Sequence, residues 1–103
     1  MADPVRAIVK KLLPGVRRKK IGGSAYWEKR MVVDCSVFSK AHPEFIEIQA
    51  LWKLLCAALT EALGKPTVKK SMSRSWQGAR CWYYVASNGI KHEYTVGVER
   101  TPS

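Results

Sequence analysis

Apolar residues recur at helical spacing in two stretches of the chain and alternate with polar ones in three others. The longest periodic stretch runs from Pro43 to Gly64. In it Ile48, Leu51, Trp52, Leu55, Ala58, Leu59 and Ala62 share one side at i, i+3, i+4 spacing, and Leu54, Cys56 and Leu63 widen the stripe. Pro43 suits a first helical position, where its missing N–H costs nothing. Glu44 and Glu47 complement the helix dipole in the first turn. Gly64 can take the left-handed conformation that ends a helix, and Pro66 blocks a restart. A helix this apolar needs a broad cover, most simply a sheet.

Asp3-Pro4 reads as an N-cap followed by a first helical residue. Val5, Ile8, Val9 and Leu12 continue the periodicity, so a short helix is expected over 4–13, ended by Pro14-Gly15. Isolated helices this short are marginal in water, so its apolar side must dock. Tyr26–Phe38 alternates as a strand. Trp27, Met31, Val33, Cys35 and Val37 lie on one face, with Lys29 as the exception, and Tyr26, Glu28, Arg30, Val32, Asp34 and Ser36 lie on the other.

Asn88-Gly89, between the strand-like runs Ala79–Ala86 and Ile90–Arg100, predicts a two-residue type I′ hairpin with Ser87 opposite Ile90. That register sets Tyr83 against Tyr94, Cys81 against Val96 and Ala79 against Val98 on the core side. It sets Trp82 against Thr95, Tyr84 against Glu93, Arg80 against Gly97 and Ala86 against Lys91 on the other. Residues 65–78 read as a basic loop, although the alternation of Ser71, Ser73 and Ser75 with Met72, Arg74 and Trp76 admits a strand edge. The expected fold is α+β in the order α-β-α-β-β. It has a three-stranded antiparallel sheet, the long helix packed on one face, and the short N-terminal helix beside it. Residues 1–103 read as one domain, with a basic Gly-containing loop over 14–24 and the core over 25–100.

Charge changes this picture most. Eighteen Lys plus Arg against eight Asp plus Glu give a net +10 in 103 residues, which favours an acidic partner. The positive charge falls in the expected loops and sheet. Arg17, Arg18, Lys19 and Lys20 precede Gly22-Gly23, and Lys69, Lys70 and Arg74 follow the long helix. The exposed sheet face would carry Trp82, Tyr84, Arg80, Lys91, Tyr26 and Arg30. Aromatics ringed by cations form a platform on which unpaired bases stack. Gly97, opposite Arg80, would leave room for a ligand to approach.

The function expected from these residues is a small, non-catalytic, basic nucleic-acid-binding module. Phosphates would be held by the basic loops, and bases or a groove contacted by the sheet aromatics. The alternative is a protein-interaction module, such as a phage- or plasmid-like inhibitor or adaptor, docking on an acidic protein. Trp, Tyr and Arg are the residues interfaces favour, and a homodimer through the open face is compatible with either reading. His42 and His92 have no third ligand at metal spacing, and no nucleotide-binding loop or nucleophile motif is present, so neither an enzyme, a cofactor nor a metal is expected. His42 is placed to cap the long helix. Cys35, Cys56 and Cys81 have no paired spacing and fall on expected core faces. No signal peptide or membrane-length apolar run is found, so a cytoplasmic location, or a nuclear one in a eukaryotic host, is the default.

Overall fold

The computed structural model describes residues 3–101. Its elements are α1 (Pro4–Leu12), β1 (Lys19–Ile21), β2 (Ser24–Val33), α2 (Pro43–Leu63), β3 (Val68–Lys70), β4 (Ser73–Trp76), β5 (Ala79–Ser87) and β6 (His92–Arg100). The class is α+β, as expected. The sheet is not three-stranded: all six strands form one antiparallel sheet in the order β1-β2-β6-β5-β4-β3.

Three short strands account for the difference. β1, inside the expected basic loop, is folded onto β2 by Gly22 and Gly23, both at positive φ (56° and 86°). Ile21 pairs with Ser24, so this is a two-residue turn in the conformation that suits hairpin twist. β3 and β4 occupy what reads as a loop, and the Ser73–Trp76 alternation is indeed a strand. Neither β1 nor β3 buries a residue. Both exist as backbone pairing onto a longer neighbour, so hydrophobic patterning has nothing to register. In the other direction, the strand expected to reach Phe38 stops at Val33, leaving Asp34 and Cys35 outside the ladder.

Both helices form where the periodicity puts them. Asp3 caps α1, accepting from the Val5 N–H at 3.1 Å, a contact contributing about 1 kcal/mol. α2 lays Phe45, Ile48, Trp52, Leu55 and Leu59 against Tyr94, Val96, Val98 and Cys81 of β6 and β5. Each fully buried aliphatic side chain there stabilises the fold by roughly 1.5–3 kcal/mol. α1 packs beside α2, with Val5, Val9 and Leu13 in the same core as Trp27. At the far end of α2, Trp76 Nε1 donates to the Gly64 carbonyl at 2.9 Å, tying β4 to the helix terminus. Lys29, the polar exception on the inward side of β2, reaches past the core to Glu47 of α2, Nζ to Oε1 3.0 Å. His42 does not cap α2 with its side chain. Its Nδ1 instead lies 2.7 Å from the Tyr94 hydroxyl.

The β5–β6 hairpin differs from expectation in its turn. Ser87 pairs with His92 rather than Ile90, leaving a four-residue connection. Only Gly89 of Asn88-Gly89 has positive φ, whereas type I′ needs both. Asn88 Oδ1 accepts from the Ile90 and Lys91 N–H groups instead, at 3.0 and 2.9 Å. The register therefore shifts by two residues. An even shift keeps every side chain on its face, so Trp82 and Tyr84 still point away from α2, and Tyr83 and Tyr94 still point towards it. Their partners change: Trp82 is opposite Gly97, Arg80 opposite Glu99, and Tyr84 opposite Thr95. Lys91 leaves the sheet for the turn.

Candidate nucleic-acid interface

Alternation along paired strands sets what the helix-free face presents. Tyr26, Glu28 and Arg30 come from β2, Glu93, Thr95, Gly97 and Glu99 from β6, and Arg80, Trp82 and Tyr84 from β5. Lys19 joins beside Tyr26, and Lys70 lies beyond Ser73, the partner of Trp82. This is the aromatic face expected from sequence, with two differences in its chemistry.

First, it is ion-paired. Arg80 Nε lies 3.3 Å from Glu99 Oε1, and Arg30 lies 3.7 Å from Glu28. Glu99, opposite Tyr26 on β6, raises the phenol above its usual value. Second, Trp82 is seated. Gly97 has no side chain, and the indole of Trp82 occupies the space a Cβ would need, 2.5 Å from that position. The glycine is thus a notch filled by Trp82, not an open approach for a ligand. From it the ring reaches across β6 to meet Tyr26 edge-on, centroids 6.3 Å apart, while the Arg80 guanidinium lies 4.8 Å over it. Trp82 and Tyr84 are both half-buried. Thr95, between Arg30 and Tyr84, is fully buried with its hydroxyl unpartnered, so the long side chains close over the centre of the face.

The remaining cations divide between the two sheet edges. Arg17 and Arg18 are exposed in the loop before β1, and Lys19 and Lys20 are exposed on it. Lys69 and Lys70 are exposed on β3 at the opposite edge. Arg74 does not join the open face. It projects on the α2 side, its guanidinium 5.0 Å over the Trp52 ring, held by the carbonyls of Lys70 and Ser73. The basic edges therefore flank the aromatic face, with Lys19 and Lys70 at its margins.

The structure adds a corner that charge-run reading missed. After α1, Pro14 and Gly15 (φ 80°) turn the chain back, so that Arg18 returns to Arg6 and Lys10 of the helix. These three cations line a cavity of about 350 Å³ floored by Val9, Leu13 and Trp27. Among the described residues none of the three forms an ion pair. The signal was available in the chain: between Asp3 and Glu28 there are seven cations and no acid. Lys10 stands near the Arg17–Lys20 run in the chain, and Arg6 was obscured because it lies a turn further back along the helix.

His92 is buried and donates through Nδ1 to the Cys35 carbonyl at 2.9 Å. Of the cysteines, only Cys81 is buried; Cys35 and Cys56 are half-exposed. Among the described residues there is no cluster of His, Cys, Asp and Glu that would hold a metal ion, and no helix long and apolar enough to cross a membrane. No protein family, curated protein or solved structure matches the chain.

Proposed function

We propose that the protein is a small non-catalytic nucleic-acid-binding module whose principal phosphate grip is the corner between α1 and β1. The supporting observation is the cavity where Arg6, Lys10 and Arg18 converge with no carboxylate among its lining residues. A water molecule takes up about 30 Å³ in the liquid, so the cavity admits a phosphate with part of its hydration shell. Arg17, Lys19 and Lys20 extend the positive surface from this corner along the sheet edge. Lys69 and Lys70 offer a second strip at the other edge. Lys19 beside Tyr26, and Lys70 beyond Trp82, connect both strips to the aromatic face, where Tyr84 and the exposed part of Trp82 would contact bases.

Titration of a labelled single-stranded oligonucleotide at several salt concentrations tests this. Each phosphate contact to a single strand adds about 0.7 to the slope of log K against log salt. Replacing Arg6, Lys10 and Arg18 together by Gln should therefore flatten the slope by roughly 2. Failure of the unaltered protein to retain any DNA or RNA at low salt would end the proposal.

A second reading is favoured by the open face itself. Its Tyr26, Trp82, Tyr84, Arg30 and Arg80 are of the types protein interfaces favour, and Glu28, Glu93 and Glu99 offset the positive charge of the arginines. On this reading the face docks a protein partner or a second copy of the chain. Sizing chromatography of nuclease-treated protein separates the two: a species of twice the mass, lost on Tyr84→Asp, supports docking through this face.

A further inference from the structure

Resting on that reading, we propose that the corner between α1 and β1 recognises a strand end: it takes a terminal phosphate monoester in preference to the phosphodiesters within a strand. The shape of the cavity carries the inference. One wall is α1, on which Arg6 and Lys10 lie one turn apart. The other wall is the returning chain, from Val16 to Arg18. The reversal that joins the two walls closes one end. There Gly15 turns at φ 80° and the Val16 N–H donates to the Leu13 carbonyl at 3.2 Å. The base is closed as well, because Val9, Leu13 and Trp27 are buried members of the core. The corner is therefore a recess with a mouth, not a groove that a strand could run through.

A phosphate within a strand carries a sugar on each side. It can lie across the mouth, but it cannot fill the recess. A terminal phosphate has a single ester bond and enters with its free oxygens leading. It also brings more charge, about −1.5 to −2 at neutral pH, against a single charge on each phosphodiester. The three cations suit that ligand. The guanidinium groups of Arg6 and Arg18 offer forked pairs of donors to its oxygens, and Lys10 adds a point charge. No carboxylate lines the recess to oppose it. From the mouth, Lys19 leads the strand towards Tyr26 and the sheet face.

Four versions of one single-stranded oligonucleotide test this by anisotropy titration of the whole protein. The first has hydroxyls at both ends, the second a 5′ phosphate and the third a 3′ phosphate. The fourth is the tighter-binding of these two with its phosphate esterified by a propyl group. At least one phosphorylated version should bind about tenfold tighter than the hydroxyl-ended strand, the effect of one further charge facing three partly solvated cations. Comparing the second and third versions identifies the end that is read. The propyl ester, which restores a single charge and adds a tail, should bind like the hydroxyl-ended strand. The gain should shrink in Arg18→Gln, outside the helix, and vanish when Arg6, Lys10 and Arg18 are all replaced by Gln. It should persist when Lys69 and Lys70, at the opposite sheet edge, are replaced. Equal binding of all four versions, with the triple replacement still weakening each, would overturn end recognition alone. A gain that survives the triple replacement, or is kept by the propyl ester, would also overturn it. No binding of any version would remove the underlying reading as well.

Discussion

Arg80 on the open sheet face and Arg18 at the α1–β1 corner carry the same charge in different company. Arg80 is paired with Glu99 and lies over Trp82. Arg30, on the same face, is paired with Glu28. Arg18 shares its cavity with Arg6 and Lys10 and with no carboxylate. A phosphate reaching the open face must compete with a largely buried carboxylate already there. A phosphate reaching the corner relieves repulsion among three cations. Net charge therefore says little about where an anion binds. What matters is which cations the folded chain leaves without acids.

The largest expected effect tests that contrast directly. At low salt, Arg6, Lys10 and Arg18 replaced together by Gln should weaken single-stranded oligonucleotide binding by roughly 100-fold, from three lost phosphate contacts. Arg30 and Arg80 replaced together should weaken it by less than about threefold, because each already has a partner. Equal losses in an anisotropy titration would erase the distinction between the two regions.

An intermediate effect concerns how closed the open face is. Gly97→Ala drives a methyl group into the Trp82 ring and should destabilise the protein by about 1–3 kcal/mol, the usual range for overpacking. Adding Trp82→Ala should remove most of that increment, so the two changes will be strongly non-additive in urea denaturation. Additive costs would mean that Trp82 is not seated on the glycine and that the face is more open than described.

The smallest effect is a titration. The Glu99 carboxylate opposite it favours the protonated phenol of Tyr26, so its absorbance titration should have a midpoint above 10.0. A group raised in the folded state stabilises the fold fully below its unfolded value, and the contribution is lost as pH rises through the folded one. Glu99→Gln should bring the midpoint back towards 10.0. An unmoved midpoint would separate Tyr26 from the ion-paired network and leave Glu99 to Arg80 alone.

Much of the fold was legible in the chain because its signals are local. Asp3-Pro4, Pro43 and Gly64 bound the helices, and the alternation of β5 and β6 assigns each residue to a face. The hairpin register was misplaced by Asn88-Gly89, whose side-chain oxygen closes a wider turn, while Gly22-Gly23, the pair that does make a two-residue turn, lay inside what read as a basic loop. The open face was legible in part. Its aromatics were evident from alternation, but Glu28, Glu93 and Glu99 were not weighed against the arginines, and Arg74 lay on the other side of the sheet.

The sequence alone determined the two helices, the Asp3 cap of α1 and the face each long strand buries, because periodicities of 3.6 and 2 are set within a few residues. A register error of two left those faces unchanged. Only the tertiary structure decided that Trp82 fills the place of a side chain at Gly97, that Arg80 meets Glu99, and that Arg6, Lys10 and Arg18 converge without an acid. Those outcomes depend on strand order, cross-strand register and the return of the chain after Gly15. They are contacts between residues far apart in sequence, and no local pattern encodes them.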